Sequence, residues 1–146
     1  MPLIHRTAIV PYSPEEMYVL VDDVDKYSEF IPWCVASSTQ NRSEDEVHGR
    51  LEFAKGGVQK AFTTCNRLQH GKMIEIRLLN GPFKQLEGFW RFEPLPKRGC
   101  KIIFDLEFEF SSRLLAMVFG PIFTQISQTL VDAFVKRARE VYKVSQ

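Results

Sequence analysis

A chain of 146 residues with a 45% hydrophobic share fits one domain over residues 1–146 and can bury a core without help from disulfides or metals. Lys plus Arg number 19 against 18 for Asp plus Glu, a net charge of +1, which argues against a strongly basic nucleic-acid binder. Cys34, Cys65 and Cys100 are odd in number and far apart, with no CxxC or Cys/His ligand spacing. Neither a disulfide scaffold nor a metal site is therefore expected; free thiols in a reducing cytoplasm are.

The opening "MPLIHRTAIV" has a strand pattern ending at Pro11, not the charged start and apolar run of a signal peptide. No uninterrupted apolar run approaches ~18 residues, so no transmembrane helix is expected. The reading is a cytoplasmic protein that can still sit against the inner membrane. "SPEEMYVLVDDV" predicts a helix with Ser13 as N-cap, Pro14 in its first position and Glu16 closing a capping box. Met17, Leu20, Val21 and Val24 follow at helical spacing. A second short helix is predicted over 25–30, stopped by Pro32.

From Val35 onward the period becomes two. In "EVHGRLEFA", Val47, Leu51 and Phe53 share one face, and Glu46, His48, Arg50 and Glu52 the other. Gly56-Gly57 is a turn signal before "VQKAFTTCNRL". "HGK", "NGPF" and "PKRG" separate the strands "MIEIRLL" and "KQLEGFWRFEPL" and a last strand over 100–111. In that strand Cys100, Ile102, Phe104, Leu106, Phe108 and Phe110 alternate with Lys101, Asp105, Glu107 and Glu109, Ile103 being the exception. One face is dry and one wet. The final segment is a helix. Val118, Ile122, Ile126, Leu130, Phe134 and Val141 trace its apolar stripe, which Phe119, Phe123, Val131, Val135 and Tyr142 widen. Gly120-Pro121 is expected to kink or divide it.

The predicted architecture is thus α+β: a curved antiparallel sheet of about seven strands around a long C-terminal helix, with two short helices after the first strand. "KYSEFIPWC" (26–34) crowds aromatic surface around one proline. It reads either as core packing or as the mouth of a pocket.

Four stretches carry a resemblance that physics alone does not. They are "YSEFIPWC" (27–34), "NGPFKQLEGFWRFEPL" (80–95), "CKIIFDLEFEFSSRLL" (100–115) and "VDAFVKRAREVY" (131–142), with "VPYSPEEMY" near the start. In this order they resemble the START-like, helix-grip superfamily, and within it the coenzyme-Q-binding and polyketide-cyclase-like proteins of the bacterial RatA branch. Ser28 departs from the pattern, which has a second proline there; that loosens the turn and leaves the aromatic cluster intact. The resemblance implies a hydrophobic tunnel between sheet and helix for a polyprenyl quinone such as ubiquinone or a similar lipid. It also implies an alternative, a toxin that binds the large ribosomal subunit and blocks subunit association. A polyketide cyclase or dehydratase is a lesser alternative. Oligomeric state is left open.

The ligand-lining candidates are Trp33, Phe53, Phe62, Phe83, Trp90, Phe104, Phe108, Phe123, Ile126 and Leu130, on the dry faces of strands and helix. The rim or gate candidates are Tyr27, Phe30, Pro32 and Cys34 with the turns at Gly56, Gly57, Gly81 and Pro82. Lys55, Gly56, Gly57 and the "NGPF" turn read first as two ordinary hairpin turns, and alternatively as a gate or as a contact that dips into a lipid surface with Phe83 as the inserted ring. Polar partners for a quinone head are sought among Thr63, Thr64, Asn66 and Arg67, whose facing is not settled by pattern. Lys136, Arg137 and Arg139, beside Lys143, are the candidates for phosphate or RNA contact, against the plain reading of cations at a helix C-terminus. No catalytic constellation is apparent: His5, His48 and His70 are scattered around Cys34 in sequence, and the acid row Asp105, Glu107 and Glu109 reads as a solvated face.

Overall fold

The computed structural model describes residues 3–97 and 99–142. β1 (Leu3–Val10) leads into α1 (Pro14–Asp22) and a 3₁₀ helix (Val24–Glu29). Six strands follow: β2 (Cys34–Arg42), β3 (Glu46–Lys55), β4 (Val58–Gln69), β5 (Met73–Asn80), β6 (Phe83–Pro94) and β7 (Cys100–Phe110). α2 (Arg113–Val141) ends the fold. The strands form one antiparallel sheet in the order β1-β7-β6-β5-β4-β3-β2, so the meander from β2 to β7 is closed off by β1 beside β7. β1 pairs with β7 without a break from Leu3↔Glu107 to Val10↔Cys100. β2, at the opposite border, slips register twice against β3, between Cys34 and Ala36 and between Thr39 and Asn41.

Local chemistry accounts for these elements. The Glu16 amide donates to the Ser13 hydroxyl (3.0 Å) and the Ser13 amide to the Glu16 carboxylate (2.9 Å), a complete capping box at the start of α1. Gly56 and Gly57 take φ of 57° and 83°, the two positive values that a tight hairpin between β3 and β4 requires. Gly88 marks a close approach in the middle of the sheet. A Cβ there would lie 2.1 Å from the Asp105 carbonyl oxygen of β7, so only a bare backbone fits.

The alternation read in β7 is found throughout: its six even-numbered residues are buried from Cys100 to Phe110 and its odd-numbered ones half-exposed. That dry face meets α2, whose buried residues are Phe119, Phe123, Ile126, Ser127, Val131, Phe134 and Ala138. The stripe differs from the expected one at both ends, since Val118 and Val141 are exposed. A straight helix turns slowly against a fixed apolar repeat, so a stripe extrapolated over 29 residues rotates off the sheet. Nor do Gly120 and Pro121 divide α2, which is continuous from Arg113 to Val141. Pro121 is exposed, and the buried rings of Phe119 and Phe123 hold the helix against the sheet on both sides of it. By length and composition alone, α2 is also long and apolar enough to cross a bilayer. Single polar residues punctuate the segment, so it holds no uninterrupted apolar run of that length. Its inner face is occupied by the sheet.

Candidate functional site

Two aromatic clusters fill the space between sheet and α2. At the centre of one is Phe123, with ring centroids of Phe108 at 4.8 Å, Phe83 at 4.9 Å, Phe119 at 5.7 Å, Phe62 at 5.8 Å and Phe110 at 6.1 Å. The other surrounds Phe134, with Phe30 and Trp90 at 5.2 Å and Tyr27 at 5.3 Å; Trp90 stacks on Phe104 at 4.3 Å. Members of both clusters line a hollow of about 70 Å³.

Of the ten residues read as ligand-lining, Phe53, Phe62, Trp90, Phe104, Phe123, Ile126 and Leu130 face this hollow. Phe83 and Phe108 stand behind Phe123 in its cluster, away from the hollow. Phe83 is 5% exposed and so cannot be a ring inserted into lipid. Trp33 lies half-buried outside the hollow. Its φ is 64°, a value bulky residues take only where their surroundings hold them. Here the Trp33 carbonyl accepts from the Ala54 amide (2.9 Å). Lys55 Nζ sits 4.0 Å above the indole and donates to Gln125 Oε1 of α2 at 2.7 Å. This chain of contacts ties the approach to β2, the end of β3 and the middle of α2 together at one edge of the interior.

Among the rim candidates, Tyr27 lines the hollow itself. Its hydroxyl donates to the Val21 carbonyl, and burial pushes its phenol well above the ordinary range. Phe30 is half-buried beneath Arg137, Pro32 is exposed and Cys34 is buried. Gly56 and Gly57 are exposed at the hairpin tip. Gly81 and Pro82 sit at the same end of the sheet, where the Ser111 amide donates to the Pro82 carbonyl at 3.0 Å.

The four polar candidates on β4 separate cleanly. Thr64 and Asn66 face the hollow, and the Thr64 hydroxyl donates to Asn66 Oδ1 at 2.9 Å. That leaves the Asn66 amide N–H groups as donors toward the interior. Arg67 points to the outer face of the sheet, and Thr63, next to Thr64 along the strand, takes the opposite side from it. Ser127 of α2, 1% exposed, completes the polar corner. Sequence pattern alone does not single it out, and its visible sign is a lone serine on the apolar stripe four residues after Phe123. Among the described residues no carboxylate, histidine, lysine, arginine or cysteine lines the hollow. Among the described residues no base is hydrogen-bonded to Cys34: its thiol donates to the Ala36 carbonyl (3.5 Å), and burial pushes it up to about 11.

The basic end of α2 is divided. Arg137 is held by Glu29 at 2.9 Å and lies 5.0 Å from the Phe30 ring, so it packs α2 onto the 3₁₀ helix. Lys136 and Arg139 are exposed; Lys143 lies outside the described residues.

This geometry has relatives. The chain is 43% identical to the ribosome association toxin RatA of Escherichia coli over 142 residues, 97% of this chain and 90% of that protein. It is 29% identical to a mitochondrial coenzyme Q-binding protein homologue of Xenopus laevis over 94% of this chain and 58% of that longer protein. In fold it matches the Zhui aromatase/cyclase of Streptomyces sp. R1128 with a TM-score of 0.83, at 16% identity over 96% of this chain and 95% of that one. A seven-stranded sheet gripping one long helix around an apolar interior, and a sequence match running over residues 10–135, place the chain in the polyketide cyclase/dehydrase and lipid transport family.

Proposed function

We propose that the protein binds an apolar molecule bearing a small oxygen-rich head, a polyprenyl quinone fitting best, between the sheet and α2. The observation that carries this reading is the polar corner of Thr64, Asn66 and Ser127 in an otherwise aromatic and aliphatic lining. Quinone carbonyls only accept hydrogen bonds, and Asn66 and Ser127 offer N–H and O–H donors from the two opposed elements. The likeness to a coenzyme Q-binding relative supports the same chemistry.

At about 70 Å³ the hollow holds a few waters, against roughly 300–1,000 Å³ for typical small-molecule sites. On this reading, loading a quinone requires α2 to part from the sheet and widen the hollow. The Lys55–Gln125 contact and the Trp33 ring lie where that parting would start. The outward side of the first turns of α2 supports traffic with a membrane surface: Leu114, Met117 and Val118 are 69%, 75% and 46% exposed and recur at i, i+3 and i+4.

The test is extraction of gently purified protein followed by mass spectrometry, with and without incubation with quinone-loaded vesicles. Quinone at a fixed ratio to protein, reduced in Asn66→Leu and Ser127→Ala, is expected. Protein that never carries or takes up quinone refutes the reading.

A second reading, association with the large ribosomal subunit, is favoured by the 43% identity to RatA and by exposed Lys136 and Arg139. It predicts co-sedimentation with large subunits that Lys136→Glu with Arg139→Glu abolishes. Retained binding in that variant removes the basic end from the account, and no binding in the parent removes the reading.

A further inference from the structure

Glu46 and His48 are two residues apart on β3, so their side chains leave the same outer face of the sheet. The β3–β4 register sets Cys65 directly opposite His48. Glu46 Oε1 lies 3.1 Å from His48 Nε2. One donor atom from each of the three residues, a carboxylate oxygen, an imidazole nitrogen and a thiol sulfur, falls within 4.8 Å of the other two. All three side chains are half-buried, so they are neither sealed in the core nor loose in solvent.

We propose that Glu46, His48 and Cys65 form a Zn²⁺ site on the face of the sheet that points away from α2. Zinc takes O, N and S donors at about 2.0–2.3 Å, which sets ligand atoms around a tetrahedral centre roughly 3.3–3.8 Å apart. The observed grouping reaches that spacing by side-chain rotation of Glu46 and Cys65, with the strands left in register. The mixed donor set selects a borderline-soft ion and disfavours Mg²⁺ and Ca²⁺, which take oxygen. The surroundings also suit a cation. The outer depression that Glu46 and Cys65 border has five carboxylates, Glu46 included, against the two guanidinium groups of Arg67 and Arg77. Three protein donors leave a fourth position facing that depression, the arrangement of zinc sites that exchange a ligand, whereas structural zinc sites are closed by four protein donors. The site lies on the opposite side of the sheet from the apolar hollow and stands or falls independently of what the hollow binds.

The test uses the full chain, freed of metal by a chelator, titrated with zinc chloride by calorimetry and with cobalt chloride by absorption. One zinc per chain is expected, together with a near-ultraviolet thiolate-to-cobalt charge-transfer band. Cys65→Ser should abolish the band and weaken zinc binding at least tenfold; His48→Gln should weaken it at least tenfold. His5→Gln and His70→Gln, at the other two histidines, should leave both signals unchanged. Melting curves of each metal-free variant show that it is folded. Absence of saturable zinc uptake at micromolar concentration overturns the proposal. So does uptake that survives both Cys65→Ser and His48→Gln, or a cobalt complex with no thiolate band.

Discussion

Phe123→Ala is the most direct probe of how the interior is filled. The ring is 3% exposed and touches five other phenylalanines at centroid distances between 4.8 and 6.1 Å. Truncating a buried phenylalanine costs about 3–5 kcal/mol, the spread reflecting how well the site collapses. Collapse is hindered here, because Phe62, Phe83, Phe108 and Phe110 stand on β-strands fixed by ladder hydrogen bonds and Phe119 sits one turn back on the same helix. The upper half of that range is therefore expected. For a chain of this size each kcal/mol shifts the melting temperature by about 2–4 °C, so a loss of ~4 kcal/mol lowers Tm by roughly 8–16 °C. Urea unfolding by circular dichroism, with Phe123→Leu alongside, measures it directly. Leucine should recover more than half of the loss. A cost below about 1.5 kcal/mol, less than half the lowest value usual for this truncation, would refute the tightly packed interior. It would mean that sheet and helix already stand apart around this ring.

Further outcomes test other parts of the molecule. Gly88→Ala should prevent recovery of folded protein or lower Tm by well over 10 °C, because the new methyl falls 2.1 Å from a backbone oxygen in the adjoining strand; a melting curve near that of the parent would contradict the β6–β7 geometry. The thiols of Cys34 and Cys100 are both pushed by burial to about 11 from an ordinary 9.0. Since the folded state keeps these protons longer than the unfolded chain does, stability is fully present below pH 9.0 and falls as pH rises from there toward about 11. Urea midpoints at stepped pH should show that decline, and it should shrink in Cys34→Ala. Lys55→Ala removes the contacts to Trp33 and Gln125; it should cost no more than about 1 kcal/mol yet speed quinone uptake from vesicles, and an unchanged rate would remove Lys55 from the opening step. Met117→Glu should cut co-sedimentation with anionic vesicles severalfold at unchanged Tm, as the side chain is 75% exposed.

How far the sequence could be read depends on whether one pattern or two interacting elements decide a position. The β7 alternation and the Ser13–Glu16 box are local, and both appear where they were expected, β7 ending one residue earlier at Phe110. The facing of β4 was not readable, because "TTCNR" puts polar groups on both sides of the strand; the β3 and β5 registers decide that Thr64 and Asn66 turn inward. The size of the hollow was not readable either, since the same phenylalanines that line a tunnel also fill one. Phe83 shows the difficulty: beside a Gly-Pro turn the sequence allows it to be either an interior ring or one inserted into lipid, and its contacts with Phe62, Phe110 and Phe123 hold it inside. The grouping of Glu46, His48 and Cys65 is invisible to spacing rules, because its donors come from facing strands and meet only once the register is known.

The two borders of the sheet differ in a way that bears on how the chain stays apart from its copies. β2 slips register twice, which bends its free side and denies a neighbouring strand a straight row of amides and carbonyls. β1 has no such irregularity along its eight residues, and Leu3 and Ile9 are 65% and 73% exposed. Strand addition between molecules, during refolding or at high concentration, would therefore begin along β1, and a lysine in place of Ile9 would be the economical guard against it.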